Sequence, residues 1–274
     1  MFSNNYEDGR YKSLSNLLFK EGFNANTEAK FLDIHAHIND KAFDGSRDRL
    51  YSELADFIVL NAGEEPDEDS GILSEALKHP NFLPCIGLHP NVIAAIGEAK
   101  AKGGVDYLAA HLNEAFAVSE VGLDYRGKDE SQKLLQGRIF SEILELAELR
   151  RKVCIVHSRK SMDELLRIIA SFETKIIIHN FEGNQLQYEK AVDRGAYISV
   201  STGFMRFKRD NLIKKIAMDR LFLETDSPAL SPDDKMNTPL NIRKLLNYVA
   251  ALRDMGEVEL KEKMWENFQR VFYG

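Results

Sequence analysis

Eight short apolar runs rich in β-branched residues recur along the chain, at 31–35, 56–60, 83–87, 116–121, 153–157, 175–179, 196–200 and 221–225. Runs of this length bounded by polar residues read as strands buried on both faces. Amphipathic stretches separate most of them. The clearest spans 132–151, where Leu134, Leu135, Ile139, Ile143, Leu144, Leu146 and Ala147 return at three- and four-residue steps, the period of one helix face. Similar patterns predict helices at 162–171, 186–194 and 212–218. Another is predicted at 242–252, where Asn241 and Ile242 follow Pro239 as a helix start.

Buried strands alternating with helices define an α/β protein and predict a (β/α)8 TIM barrel over 31–274. A doubly wound open sheet is the competing arrangement. The barrel is preferred because polar residues cluster at the ends of strands one, three, four, five, six and eight, whereas an open sheet concentrates its ligands at one switch point. Residues 1–30 are polar and charged, with Tyr11, Leu14, Leu17, Leu18 and Phe19 in a faint helical pattern. They are expected to form an N-terminal extension packed on the barrel. The stretch 64–70 reads as an acidic loop.

The strand ends carry the chemistry. Five of the seven histidines close apolar runs: His35, His37, His89, His157 and His179. His35 and His37 stand two apart, so a strand turns both imidazoles to one side, toward a single ion. Glu120 lies within an apolar strand, where an unpaired carboxylate would be costly and a cation would compensate. Asp124 has two readings, a site carboxylate or the cap of a turn. His157 and His179 end strands one β/α step apart. Asp226 follows the eighth strand ahead of Ser227-Pro228 and can both coordinate an ion and accept a proton from its water. Four histidines and two carboxylates suffice for two divalent ions sharing a carboxylate, with Zn, Mn, Mg or Ni all compatible with the donors.

Composition narrows the field. The chain of 274 residues is 44% hydrophobic, enough for a large core, and its net charge of −7 gives no basic footprint for duplex DNA. Divalent ions can supply positive charge locally, so a nucleic-acid substrate stays compatible. Cys85 and Cys154 lie within apolar runs and read as buried free thiols of a reducing, cytoplasmic protein. No run approaches the length of a membrane span, the N-terminus lacks an apolar signal segment, and no Gly-x-Gly-x-x-Gly or Walker loop supports a nucleotide cofactor. A monomer is expected.

Six ordered segments resemble the TatD-type metal-dependent deoxyribonucleases of the amidohydrolase superfamily. They are Asp33-Ile-His35-Ala-His37, Gly87-Leu-His89-Pro90, Glu120-Val-Gly122-Leu-Asp124-Tyr125, His157-Ser158-Arg159, His179-Asn-Phe181-Glu-Gly183 and Glu224-Thr-Asp226-Ser-Pro228. The resemblance covers 31–274. It implies that His35, His37, Glu120 and Asp226 hold one ion, that Glu120 bridges to a second held by His157 and His179, and that the substrate is DNA cleaved from an end. Four positions depart from the family pattern. Asn91 stands where a second histidine is common, Asn180 replaces a cysteine, Glu182 a small residue, and Met236-Asn237-Thr238-Pro239 an Arg-Asn-Glu-Pro stretch. These departures imply a weakened phosphate clamp.

The expected activity is therefore phosphodiester hydrolysis, with Asp226 and Glu120 catalytic and His89, Arg159 and Arg126 as substrate contacts. An esterase, lactonase or amidase acting on a small molecule is the alternative; no apolar strand ends in the lysine that commonly bridges the ions of such enzymes. A barrel kept only as a binding scaffold would have lost ligands, and all six are present. Phe204, Phe207, Tyr125 and Phe181, with the basic run 205–209, are candidate contacts for unpaired bases.

Overall fold

A computed structural model describes residues 30–274. The predicted extension at 1–30, apart from Lys30, and its faint helix lie outside the described residues. Eight strands follow one another: β1 (Phe31–Ala36), β2 (Phe57–Ala62), β3 (Phe82–Ile86), β4 (Ala117–Asp124), β5 (Cys154–Arg159), β6 (Ile176–Ile178), β7 (Tyr197–Ser201) and β8 (Leu221–Glu224). They form one sheet in sequence order. Every predicted strand is present, with ends shifted by at most three residues. The intervening helices are α1 (Arg47–Glu53), α2 (Pro66–Glu75), α3 (Pro90–Ile96), α4 (Glu98–His111), α5 (Glu130–Leu149), α6 (Met162–Ile169), α7 (Gln185–Asp193), α8 (Gly203–Phe207), α9 (Asp210–Lys215), α10 (Ile242–Leu252) and α11 (Glu257–Phe272). This is the α/β order of a (β/α)8 barrel.

The acidic stretch read as a loop is instead the start of α2. Pro66 occupies its first turn, and Asp67, Glu68 and Asp69 follow there, where carboxylates meet the positive end of the helix dipole. Its apolar signal is sparse because only Ile72 and Leu73 of its hydrophobic residues are buried.

The chain divides into two compact units. The first contains the described residues up to Asn61, with His79–Leu83 and Ile198–Gly274. In it β1 runs parallel to β2, with Phe31 opposite Phe57, and β7 parallel to β8, with Ser201 opposite Glu224. The ends of β1 and β8 are joined: Asp226 N–H donates to the His35 carbonyl at 2.9 Å, and His37 N–H to the Ser227 carbonyl at 2.8 Å. Helix α11 buries Leu260, Met264, Trp265, Phe268, Val271 and Phe272 at helical spacing, and the Trp265 indole N–H reaches the Lys30 carbonyl at 3.2 Å.

The second unit holds Ala62–Lys78 and Pro84–Tyr197. Its strands β3 to β6 are parallel, with Cys85 opposite Ala117, Gly122 opposite His157 and Cys154 opposite Ile176. Helix α5 begins with a capping box built by Asp129 and Gln132, and buries Gln136, Ile139, Phe140, Ile143, Leu144 and Ala147. Each large apolar side chain on that face contributes roughly 1.5–3 kcal/mol by leaving water. Both cysteines are buried free thiols, and burial pushes both up. Lys152 is buried just ahead of β5, where its ammonium donates to the Ala115 carbonyl at 2.7 Å and desolvation lowers it to about 8.

Candidate metal centre

In the first unit, parallel pairing carries β1 to its end with His35 fully buried and His37 just beyond it. The two rings meet edge to face, with centroids 4.8 Å apart. Each Nε2 lies 3.5 Å from Asp226 Oδ1. Asp226 adopts a left-handed backbone, φ 54°, directly after β8, and so turns its carboxylate back toward these imidazoles. Behind it stands a buried carboxylate that sequence reasoning did not pick out as a site group. Asp33 accepts hydrogen bonds from Thr225 N at 2.9 Å, Thr225 Oγ1 at 2.5 Å and His35 N at 3.3 Å. Desolvation outweighs these donors and pushes Asp33 up to about 8. The lattice ties β1 to the end of β8 and holds the cluster in register. Its signal was present in the sequence: a carboxylate two residues before the His-x-His, within an apolar strand.

In the second unit, Glu120 is the hub. Its Oε1 lies 2.7 Å from His157 Nδ1, 3.0 Å from His179 Nε2 and 3.5 Å from His89 Nε2. His157 Nδ1 and His179 Nε2 are themselves 3.1 Å apart. Burial alone would raise the Glu120 carboxyl; His179, His89 and His157 together hold it well below the usual carboxylate range. For His157, burial works against the charged ring, yet Glu120 and Asp124 raise it above its ordinary value.

Two glycines make this convergence sterically possible. A Cβ at Gly87 would meet Glu120 N at 2.3 Å, and one at Gly122 would meet the His157 carbonyl oxygen at 2.2 Å. Gly122 also has φ 135°, a backbone that side-chain-bearing residues rarely adopt.

Both clusters pair imidazole nitrogens with carboxylate oxygens, a set suited to zinc and its neighbours. Donors bound tetrahedrally at zinc distances stand roughly 3.3 Å from one another. The 3.5 Å separations around Asp226 and the 2.7–3.1 Å triangle around Glu120 bracket that spacing. His35, His37 and Asp226 could hold an ion, as could His89, Glu120 and His157. The residues present therefore fit divalent ions.

All six predicted ligands thus fall into one cluster or the other, three in each unit. His89, expected as a substrate contact, belongs to the Glu120 cluster. Asp124 resolves as both of its readings at once. Its Oδ1 accepts from Arg126 N at 3.0 Å as a turn cap, while its Oδ2 lies 3.6 Å from His157 Nε2. Burial would raise Asp124, but His157, Asn91 and Arg126 hold it below the usual range.

The predicted arginines are less engaged. Arg159 sits on β5 opposite Asp124, two residues from His157 and hence on the same side of the strand. The Arg126 side chain is exposed and makes no hydrogen bond or ion pair among the described residues.

Several expected base contacts are corrected. Phe181 and Phe204 are buried, Phe181 edge-on to Tyr188 at 6.4 Å, so both are core rather than stacking surfaces. Phe207 is 66% exposed. The basic run around it is partly spent on the protein itself: Arg206 pairs with Asp234 at 3.1 Å, and Arg209 lies 5.3 Å over the Phe204 ring. Tyr125 and Glu182 line a cavity of about 440 Å³ with Ser158, Lys160, Ser161 and Gly183, beside the end of β5. Asn237, in the stretch departing from the family pattern, is fully buried. Its amide donates to Thr202 Oγ1 and to the Thr225 and Ala229 carbonyls at 2.6–2.9 Å. It braces the loop after β8 rather than facing a substrate.

Sequential parallel strands with imidazole and carboxylate clusters at their ends define a metal-dependent hydrolase of the (β/α)8 barrel class. The TatD related DNase family matches residues 32–273, and the chain belongs to that family. A metal-dependent hydrolase of Methanocaldococcus jannaschii is 29% identical over 250 residues, covering 89% of this chain and 98% of that protein. Deoxyribonuclease TATDN3 of Homo sapiens is 25% identical over 257 residues, covering 88% and 94% respectively. The crystal structure of YjjV, a TatD homolog from Escherichia coli, superposes with a TM-score of 0.81 at 23% identity. That match covers 90% of this chain and 99% of YjjV, and the two share the barrel fold. Among the described residues no helix is long and apolar enough to cross a membrane.

Proposed function

We propose that this protein is a divalent-metal-dependent phosphodiesterase acting on DNA, an exonuclease-type enzyme working at strand ends or on single strands. One observation carries the reading: a buried glutamate ringed by three imidazoles, in a chain that also sets His35 and His37 against Asp226. A buried charge on that scale is tolerable where a cation completes it. The name of the human relative, a deoxyribonuclease, supports DNA as the substrate class.

In this reading His35, His37 and Asp226 would hold one ion, and His157, His179 and Glu120 a second. Bound ions would supply Lewis acidity and positive charge where the phosphoryl oxygens gather. Asp226, the less enclosed of the two carboxylates, orients the attacking water and takes its proton. His89 donates from Nε2 to the phosphoryl or leaving oxygen. Arg159 holds a non-bridging phosphate oxygen pair through its planar fork. Met236 and Thr238 stand where the family pattern has a basic and an acidic residue, so this clamp is weaker than the family pattern, and exposed Glu182 adds negative charge beside β5.

The test is an activity screen of metal-reconstituted protein on single-stranded DNA, bis-p-nitrophenyl phosphate and carboxylic esters. Phosphodiester turnover that vanishes in Glu120→Ala supports the proposal. Ester or lactone turnover without phosphodiesterase activity overturns it in favour of a small-molecule hydrolase.

A further inference from the structure

Phe207 is out of place for its helix. It stands three residues after Phe204 on α8, the spacing that would continue the buried face. Phe204 is sealed in the core, yet Phe207 is 66% exposed. The helix stops there because Lys208 turns left-handed, φ 53°. The chain is fastened on both sides of the ring. Arg206 pairs with Asp234 Oδ1 at 3.1 Å, and the Arg209 guanidinium lies 5.3 Å over the Phe204 ring. The exposed Lys208 reaches 5.8 Å over the Tyr248 ring, whose hydroxyl donates to Asp210. A pinned segment thus holds an apolar ring in water.

The ring belongs to the end of the sheet that carries Asp226. Strands β7 and β8 run parallel, so α8 and Asp226 both follow C-terminal strand ends, the face on which barrels build their sites. Thr202, just ahead of α8, ties the two connections together. Its N–H donates to the Glu224 carbonyl at 3.1 Å, and its Oγ1 lies 3.0 Å from the carbonyl oxygen of Thr225, the residue before Asp226. From there the five residues of α8 rise about 7.5 Å to Phe207. Met236, two residues past the Asp234 that Arg206 holds, is a second exposed apolar side chain.

Charge identifies the occupant. Residues 205–215 carry five basic side chains and one acidic, in a chain whose net charge is −7. An exposed ring among cations matches an unpaired base with its phosphates: the base face stacks on the ring and the backbone meets the cations. A duplex does not match, because its base faces are already stacked on one another. One phenylalanine and one methionine also fall short of the several hundred Å² of contiguous apolar surface that marks a protein or membrane contact. We infer that Phe207, with Lys208 and the basic run around it, forms a stacking site for an unpaired base of a single-stranded nucleic acid. The inference rests on the proposed hydrolysis of DNA for its purpose, but the binding can be measured without turnover.

Fluorescence anisotropy of the full-length protein tests it, in a chelating buffer so that no hydrolysis competes. The probes are a labelled oligothymidylate, an abasic strand of the same length, and a duplex. Wild type should bind the oligothymidylate about 5–150-fold more tightly than the abasic strand, the contribution of one stacked base. Phe207→Ala should lose that advantage and bind both strands as wild type binds the abasic one. Phe207→Trp keeps a stacking face and should retain it, which separates lost stacking from a damaged fold. Lys208→Ala should weaken both strands alike and make the salt dependence shallower, by about 0.7 in the logarithmic slope for one lost phosphate contact.

Equal affinity of wild type for the two single strands overturns the inference. So does a duplex bound as tightly as the oligothymidylate, or an abasic-strand affinity that falls as far as the oligothymidylate's in Phe207→Ala. Base-dependent binding through Phe207 in a protein that hydrolyses no phosphodiester would leave the stacking site standing and sink the proposed function. Hydrolysis of single-stranded DNA, with binding indifferent to Phe207, would do the reverse.

Discussion

Replacing Gly122 by alanine tests whether the strand geometry, and not only the ligand residues, builds the Glu120 cluster. The new Cβ would sit 2.2 Å from the His157 carbonyl oxygen, 2.9 Å from its nitrogen and 3.0 Å from its carbonyl carbon. Relieving the first contact requires β4 and β5 to part by about 1 Å, since non-bonded carbon atoms settle near 3.5–4.0 Å from a neighbour and oxygen only slightly closer. The φ of 135° adds backbone strain of roughly 1–3 kcal/mol for any residue with a side chain. Overpacking between the strands adds a comparable ~1–3 kcal/mol. Together the loss should be about 3–5 kcal/mol, a large part of the stability of an ordinary domain. The displaced residue is His157, whose Nδ1 stands 2.7 Å from Glu120, so zinc affinity should fall with stability.

Urea unfolding followed by circular dichroism, with zinc titration of the same samples, measures both. Gly195→Ala is the control: it has φ 78° but nothing within 4 Å of its added carbon, and should lose about 1 kcal/mol by strain alone. Equal losses in the two variants, with zinc binding intact in Gly122→Ala, would refute the steric argument.

Three further outcomes are expected. Lys152 is held at about 8 by desolvation against an ordinary value of 10.5. The unfolded chain therefore binds more protons between these limits, and this group's contribution to stability rises by roughly 3 kcal/mol as pH climbs from 8 to 10.5. Comparison of wild type with Lys152→Met by denaturant unfolding across that range reads it, and a pH-independent difference would contradict it. Asn237→Ala leaves the Thr225 and Ala229 carbonyls without this donor and should cost about 2–4 kcal/mol in the same assay; a loss under 1 kcal/mol would show that the loop after β8 is braced elsewhere. Arg159→Ala should raise KM for phosphodiesters about tenfold, with a smaller effect on kcat; unchanged steady-state kinetics would remove Arg159 from substrate binding.

The barrel was legible because a strand buried on both faces leaves an apolar run whatever surrounds it, and the chain repeats that run eight times. The clustered side chains were legible for the same reason: His157, His179 and Glu120 interrupt or end apolar text where a polar group has no structural excuse. What escaped was either locally ambiguous or non-local. Helix α2 opens on charges and buries few apolar side chains, so periodicity could not announce it. Helix α11 was within reach, since Leu260, Met264, Trp265, Phe268 and Phe272 keep helical spacing. Phe181 and Phe204 resemble base-stacking residues in sequence, but only their surroundings show them sealed in the core. Asp124 and Asn91 are 33 residues apart, and nothing in the spacing of either announces that an amide from one strand's end would brace a carboxylate at the next. Asp33 pairs with Thr225 across 192 positions; only closure between β1 and β8 brings them together.

The most direct test of the account is metal content per chain, measured by mass spectrometry after reconstitution and desalting, for wild type and for one variant in each cluster. Two divalent ions are expected in wild type, one in His37→Ala and one in His179→Ala, with phosphodiesterase activity lost in both. Fewer than one ion in wild type, or full activity from a chain emptied of metal, would contradict it.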